Sequence, residues 1–158
     1  MTTITATTIR PARSDDLPVM LALIQADPIS SSRLGQTPAV TAEVLASFAA
    51  IGGSAEHQQW VAEQSGEVVG IYQLSFLPGL ARNGMWRALI ESVHVRADRR
   101  SSGVGAAMIS HAIEQAQQHG CGIVQLTSDK RRADAHRFYR RLGFVASHEG
   151  MKRTVAPG

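Results

Sequence analysis

The segment Arg99–Gln115, RRSSGVGAAMISHAIEQ, is where residue types and spacing most directly suggest chemistry. Two glycines, Gly103 and Gly105, stand two positions apart at the predicted start of a helix, although glycine weakens helices. The first N–H groups of a helix lack acceptors within the helix, and glycines let an oxyanion approach them closely. We therefore predict a phosphate or pyrophosphate site at residues 100–106.

The spacing of these glycines differs from two common nucleotide-binding motifs. A Walker A motif would continue with Gly-Lys-Ser or Gly-Lys-Thr, and a G-x-G-x-x-G motif would place glycine where this chain has Met108. The alternative interpretation is a glycine that only lets a helix pack closely against a sheet. The phosphate interpretation is favoured because Arg-x-x-Gly-x-Gly at Arg100–Gly105 follows a predicted strand, Ile90–Val95.

Basic residues are concentrated in the second half of the sequence. The chain has 16 Lys and Arg against 13 Asp and Glu, a formal net charge of +3, and a basic run stands at Lys130–Arg132. This bias suggests an anionic ligand, either a nucleic acid or a phosphorylated small molecule, although Arg137, Arg140 and Arg141 also fit a solvated helix face. Aromatic residues make up 5% of the chain and none interrupts the basic run, which favours a small molecule.

Length and composition predict one globular domain over residues 1–158. A chain of 158 residues is long enough for one well-packed core and short for two, and 44% hydrophobic residues are typical of globular proteins. No apolar run approaches the ~20 residues that span a membrane, and no signal-peptide pattern opens the sequence. The single Cys121 has no partner for a disulfide, and burial explains it better than a nucleophilic role. We therefore expect a cytoplasmic protein with no membrane association.

Hydrophobic periodicity and turn residues predict an α/β (α+β) fold with the element order β-α-α-β-β-β-α-β-α-β. The expected sheet is mixed, has six or seven strands and is flanked by about four helices. Several local expectations follow from the same pattern. Ser14 and Thr41 cap the first two helices, Asp27–Pro38 is a loop, Ser65-Gly66 is a hairpin turn, Trp86–Val95 is a strand, and Phe144–Val155 contributes a closing strand.

The helix after Gly103 has the clearest amphipathic pattern. Its apolar residues recur every four positions and predict the buried face: Val104, Met108, Ala112 and Ala116. The helix is expected to end at His119-Gly120, where a cation is followed by a glycine.

Three segments together resemble the GNAT superfamily of acetyl-CoA-dependent N-acetyltransferases. They are the strand Ile90–Val95, the Arg-x-x-Gly-x-Gly sequence at Arg100–Gly105, and AHRFYRRLGF at Ala135–Phe144. The element order of the whole chain is similar to that superfamily, and the region SDKRRADAHRFYRRLGF most resembles aminoalkylphosphonate N-acetyltransferases. One position departs from the family pattern, because Arg132 stands where the family often has Asn.

The resemblance implies a binding site for acetyl-CoA. The backbone of residues 101–106 would hold the pyrophosphate, and the backbone of Val93 and Val95 would pair with the pantetheine arm as if it were another strand. The His94 side chain has two interpretations, an outward position on a strand whose backbone matters, or a proton relay. The cofactor set is Val93, His94, Val95, Arg100, Ser101, Ser102, Gly103, Val104, Gly105, Ala106, Arg132 and His136.

The resemblance also implies two catalytic side chains, Glu91 and Tyr139. An amine with an ordinary pKa near 10.4 is only ~1 part in 10³ deprotonated at neutral pH, so a carboxylate beside it must hold the ammonium and take its proton. Glu91 is the candidate for this role, and a cross-strand or dimer contact is its alternative. Tyr139 occupies the family's general-acid position, from which it would protonate the leaving thiolate.

Family precedent places the acceptor among the Pro28–Pro38 loop, the Leu77–Met85 loop and the chain end. Arg33 and Arg82 in these loops suit an amine that also carries a carboxylate or phosphonate, so they join Glu91 as predicted substrate-binding residues. No metal ligands are predicted.

Three classes of function remain open: a small-molecule N-acetyltransferase, a protein or peptide acetyltransferase, and a non-catalytic module that binds CoA or nucleic acid. The first is favoured, with acetyl-CoA and a small amine as partners and no nucleic acid. A homodimer is compatible with it.

Overall fold

The computed structural model describes residues 5–34 and 39–156, which form five strands and six α-helices. The strands are β1 (Thr8–Pro11), β2 (His57–Gln64), β3 (Glu67–Leu77), β4 (Trp86–Val95) and β5 (Cys121–Leu126). The helices are α1 (Leu17–Ala26), α2 (Pro28–Leu34), α3 (Ala42–Gly52), α4 (Ala81–Gly84), α5 (Val104–Gln118) and α6 (Ala133–Arg141). Short 3₁₀ turns at Ser14–Asp16 and Ala97–Arg99 complete the regular structure. The side chains at positions 31, 33 and 34 lie outside the description.

The strands form one mixed sheet in the order β1-β2-β3-β4-β5. Strands β1 to β4 pair antiparallel, and β5 pairs parallel with β4. The β2–β3 hairpin turns at Ser65 and Gly66, as predicted, with φ values of 50° and 79°. Two successive positive φ values are those of a type I′ hairpin turn.

Helix α5 covers one face of the sheet and α1 covers the other. All four predicted apolar residues of α5 are buried, in one cluster with side chains of β3 and β4: Val104, Met108, Ala112 and Ala116. On the opposite face, Met20 and Leu23 of α1 pack against Val61 and Ile71. A mixed α+β domain with helices on both faces is therefore confirmed. No described helix combines the length and the apolar composition needed to cross a bilayer.

The prediction of six or seven strands is wrong for the described chain, because Phe144–Val155 does not form a strand. The chain turns at the end of α6, where the Phe144 N–H donates to Tyr139 O at 3.1 Å, and then runs as irregular backbone. Val145, Met151 and Val155 are 82%, 90% and 93% exposed. Apolar residues alone do not make a strand, since a strand also needs a neighbour to pair with.

Two predictions near the N-terminus also need correction. Residues 28–34 of the predicted loop form α2, because Asp27 caps that helix and Pro28 occupies its first position. Ser14 does not cap α1, since it lies inside a 3₁₀ turn whose Asp16 carboxylate accepts from the Arg13 N–H at 2.7 Å. The Thr41 cap is confirmed, with its hydroxyl oxygen 3.2 Å from the Val44 N–H.

Candidate active site

Strand β4 has two halves with different neighbours. Its first half, Trp86–Ile90, pairs with β3 on one side and with β5 on the other. Its second half, residues 91–95, pairs with β3 but has no partner in β5, whose last paired residue is Leu126 opposite Ile90. The two parallel strands therefore separate, and one edge of β4 is left open.

An irregularity in β4 marks the start of this open edge. Gln73 pairs with Glu91 whereas Ile71 pairs with His94, so β4 carries one extra residue there. Ser92 lies in this bulge with a φ of 50°, a left-handed conformation that serine seldom adopts. The extra residue shifts the alternation of side chains, so Glu91 and His94 share one face although they are three positions apart.

The backbone groups of the open edge point away from β3. The Arg96 N–H donates to Val69 O at 2.8 Å, and Val95 faces Gly70 as a pair without mutual hydrogen bonds. The N–H and C=O of Val95, and by alternation those of Val93, therefore face the gap between β4 and β5. Within the described chain the Arg100 Nε, at 3.4 Å, is a weak donor to Val95 O.

The turn before α5 has the geometry of an anion site. Gly103 precedes the helix with a φ of 89°, and Ser101 also has a positive φ of 59°. No side chain caps the helix, and a Cβ at Gly103 would meet no atom within 4 Å. Free N–H groups thus face open space at the positive end of the helix dipole, beside the exposed Arg100. The Ser102 hydroxyl donates to Arg99 O at 2.5 Å, so it fixes the turn.

Gly105 has a packing role in addition to its place in the motif. A Cβ at this position would stand 3.2 Å from Cζ of Phe138, so α6 crosses the first turn of α5 at close range. Gly105 therefore has a packing role, although against α6 and not against the sheet as the alternative had it, whereas the space at Gly103 is open.

Tyr139 lies on α6 among aromatic rings. Its ring is half-buried and contacts the edges of Phe138 and Phe144, at centroid distances of 5.1 and 5.8 Å. It packs against the same core cluster as Val93 and Val95. Burial raises the pKa of its hydroxyl, and the nearby Arg132 opposes this effect. No hydrogen bond to the hydroxyl is found within the described residues, so its proton is free for a ligand.

Arg132 pairs with a buried carboxylate. Its Nη2 donates to Oδ2 of Asp27, which is 7% exposed, and lies 3.5 Å from the Ser30 hydroxyl. Burial disfavours the charged form of Asp27, but hydrogen bonds from Arg132 and Ser30 outweigh burial and lower its pKa to about 2. The pair ties the α1–α2 junction to the N-terminus of α6. Arg132 thus has a structural partner through Nη2, and its contact with the cofactor stays a prediction.

His94 faces the same junction. The ring is half-buried, and burial, opposed by Asp27 and assisted by Arg132 and Arg100, lowers the pKa of its imidazole. A lowered pKa keeps the ring neutral at physiological pH, so it is able to accept a proton. His136, in contrast, donates from Nε2 to Asp129 O at 3.0 Å and so fixes the loop before α6.

The predicted substrate-binding residues are not all brought together. Glu91 is exposed beside the bulge, with no ion pair within the described chain. Arg82 lies in a tight turn with a φ of 51°, in the segment that precedes Trp86 at the end of β4 farther from Val93. Its assignment to the acceptor stays a prediction. The Arg33 side chain lies outside the described residues.

Sequence reasoning missed two residues of the site, Asp27 and Ser92. The Asp27-Pro28 dipeptide carried a usable signal, because an Asp cap followed by Pro at the first helical position is a common helix start. The bulge at Ser92 had no comparable signal, since serine is not a residue that favours a positive φ.

The backbone groups of the open edge and of the turn before α5 fit acetyl-CoA. No group of three His, Cys, Asp or Glu side chains in the described ranges is arranged to hold a metal. The open edge of β4 and the open space over Gly103 match an amide-rich arm and a pyrophosphate. Arg99 Nε, buried in the adjoining turn, has no hydrogen-bond partner among the described atoms.

Comparisons with known proteins agree with this geometry. The model of the Acetyltransferase (GNAT) family matches residues 28–144. Aminoalkylphosphonate N-acetyltransferase from Salmonella typhimurium is 34% identical over 88 residues, 56% of this chain and 56% of that protein. The match thus spans just over half of the curated relative's length.

Two solved structures share the fold over nearly the whole chain. A protein from Bacillus halodurans described as a transcriptional regulator is 37% identical with a TM-score of 0.90, over 95% of this chain and 100% of that one. A proposed acetyltransferase from Agrobacterium tumefaciens is 30% identical with a TM-score of 0.81, over 94% and 99%. With the family model matching from the α1–α2 junction to the end of α6, the chain belongs to the GNAT acetyltransferase family.

Proposed function

We propose that this protein transfers the acetyl group of acetyl-CoA to a primary amine of a small molecule, by direct attack and without a covalent intermediate on the protein. The open edge of β4, residues 91–95, carries this proposal, because it leads directly to the uncapped N-terminus of α5. Bound acetyl-CoA would supply the thioester that the amine attacks. The outward-facing N–H of Val93 is the donor that we assign to the thioester carbonyl.

Glu91 is the group that we assign to the acceptor amine. It is exposed on the open half of β4 and carries no ion pair within the described residues, so its carboxylate is available to an ammonium. It would hold the ammonium and pass its proton on, directly or through water. His94 shares its face and is kept neutral by burial, so it is the second acceptor for that proton.

Tyr139 is the group that we assign to the leaving thiolate. Its hydroxyl has no partner within the described chain, and its raised pKa keeps the proton on the oxygen at neutral pH. A free thiol has a pKa of about 8.5, so a thiolate is already a fair leaving group and the Tyr contributes without being indispensable.

Several arginines that could bind nucleic acid are paired with carboxylates. Arg96 contacts Asp98, Arg131 contacts Asp129, and Arg137 contacts Asp134. Paired arginines contribute less to phosphate binding, which supports a small anionic ligand over a nucleic acid. The name of the Salmonella relative supports a small amine acceptor for this chain. A cytoplasmic location and a homodimer stay predictions from the sequence.

A thiol-release assay tests the proposal. We expect CoA to be released from acetyl-CoA only when a small primary amine is present, with an equal amount of N-acetyl product measured by mass spectrometry. A peptide with Lys side chains and an RNA oligonucleotide are the comparison ligands. Acetylation of the peptide alone, or binding of RNA without turnover of any amine, would contradict the proposal.

A further inference from the structure

Three side chains of β4 form a line on the face opposite α5. Ala88 and Ile90 are buried in the α5 cluster, so the alternating residues Arg87, Leu89 and Glu91 point to the other face. The pairing with β3 is regular over this stretch, from Gln73 opposite Glu91 to Leu77 opposite Arg87. These three side chains, which we call the β4 stripe, therefore present a cation, an apolar group and an anion in that order along the strand.

Both charged ends of the stripe are open to a ligand. Arg87 and Glu91 are exposed, and neither forms an ion pair with any residue in the described ranges. Their Cα atoms are four residues apart on one strand, about 13 Å, too far for the two side chains to neutralise each other fully. Leu89 between them is half-buried and provides an apolar floor.

The β3 residues beside the stripe carry no charge. Opposite Glu91 and Leu89 stand Gln73 and Ser75, and the Ser75 hydroxyl lies 2.8 Å from Nδ1 of His57. No acidic side chain of β3 faces Arg87, whose neighbour across the strands is Leu77. The guanidinium thus keeps its full charge for an anion.

We propose that the β4 stripe selects the acceptor, and that the acceptor is a short aliphatic amine with an anionic group at its other end. The ammonium binds Glu91, next to the open edge of β4, the methylene groups lie on Leu89, and the carboxylate, phosphonate or phosphate binds Arg87. The two Cα atoms are about 13 Å apart and both charged side chains are long and flexible, so an amine and an anion joined by a short alkyl chain can reach both ends of the stripe. This inference rests on the proposed function, and it assigns to Arg87 the anion-binding role predicted from the sequence for Arg33 and Arg82.

The test compares acceptors of matched length. The panel contains ω-amino acids of increasing chain length, the matching aminoalkylphosphonates, alkylamines without an acidic group, and diamines. We expect the wild type to prefer the acid-bearing amines by about 10- to 100-fold in kcat/KM, the range of one charge-assisted hydrogen bond. Arg87→Gln removes this preference mainly through KM, and Arg87→Glu shifts the preference to diamines. The carboxylate and phosphonate series show which anion is preferred.

Arg141→Gln is the matched control, because Arg141 is an exposed arginine at the end of α6. It should leave the preference unchanged. An Arg87→Gln variant with the wild-type preference, or loss of the preference in Arg82→Gln instead, would overturn the β4 stripe while leaving the proposed function intact. Failure of the wild type to acetylate any amine, with acetyl-CoA binding intact, would overturn the proposed function and the stripe with it.

Discussion

The two halves of β4 share one strand but differ in what they offer to a ligand. In Trp86–Ile90 both edges are used by neighbouring strands, and Ala88 and Ile90 are buried under α5. In Glu91–Val95 one edge is open and a bulge at Ser92 alters the facing of the side chains. The first half holds the sheet together, whereas the second half has unused backbone hydrogen-bonding groups.

The contrast shows how the fold separates stability from chemistry. Unpaired backbone groups away from water are costly, so an open edge beside a core persists only where a ligand or water satisfies it. The regular half anchors the strand, so the open half is held in place even though one of its edges has no strand partner. We expect substitutions at Gly103 and Tyr139, which serve the open half, to change acetyl-CoA binding and turnover more than folding.

The largest effect is expected for Gly103→Trp. Its side chain would fill the open space over the N-terminus of α5 and abolish the rise in melting temperature that acetyl-CoA produces. Gly66→Trp is the control, since Gly66 also has a positive φ and open space but lies in the distant β2–β3 turn. Thermal-shift titration of both variants measures this. A folded Gly103→Trp protein with unchanged affinity would exclude a phosphate site at this turn.

Tyr139→Phe should lower turnover by ~10²–10⁴-fold, the range of general acid–base catalysis, with acetyl-CoA binding preserved. Because burial raises the pKa of Tyr139, its proton is retained well into the alkaline range and activity falls only as pH rises through that raised pKa. The Phe variant should lose this alkaline limb in the pH profile of kcat. Tyr72→Phe is the control, since the Tyr72 hydroxyl lies 2.6 Å from Nδ1 of His111, within the core. If the Tyr139→Phe variant keeps the alkaline decrease in kcat, Tyr139 has a packing role and does not donate the proton.

Arg132→Met should reduce the free energy of unfolding by about 2–4 kcal/mol, because it leaves the buried Asp27 carboxylate unpaired. Arg131→Met, at an arginine side chain that is 60% exposed, should cost no more than about 1 kcal/mol.

The Asp27 pKa of about 2 lies below its ordinary value of 3.8, so the stabilisation that the Asp27–Arg132 pair contributes is complete above about pH 4 and is lost as pH falls toward 2. Urea unfolding across this pH range measures both effects. Equal losses of stability in the two variants would show that the buried Asp27–Arg132 pair stabilises the fold no more than the Asp129–Arg131 pair does.

Gly105→Ala should have the smallest effect. The added methyl group gains helix propensity, up to about 1 kcal/mol, but presses on Phe138 at 3.2 Å, so stability changes little. Because Tyr139 follows Phe138 on α6, we expect a few-fold loss in kcat. Gly52→Ala in α3 meets no atom within 4 Å and should raise stability without changing kcat. A Gly105→Ala enzyme with wild-type kcat would separate the α5–α6 contact from catalysis.

Local pattern was enough to predict the elements that carry the site. The bounds of β4, the buried face of α5 and the hairpin turn at Ser65 follow from short-range periodicity and turn chemistry, and all three are confirmed. The pair between Asp27 and Arg132 spans 105 residues, so no local pattern reports it. The prediction of a closing strand at Phe144–Val155 is wrong for a related reason, since a segment extends the sheet only where it pairs with a neighbouring strand, whatever its composition.

Amide hydrogen exchange along β4 tests the central claim most directly, because it reports on both halves of the strand at once. Saturating acetyl-CoA should slow exchange at the Val93 and Val95 amides by at least about tenfold, since the bound arm would pair with them, and should leave residues 86–90 nearly unchanged. Saturation is established beforehand by calorimetry. Slowed exchange at Val93 and Val95 alone would confirm that the open edge of β4 is the cofactor site, and unchanged exchange there at full saturation would contradict it.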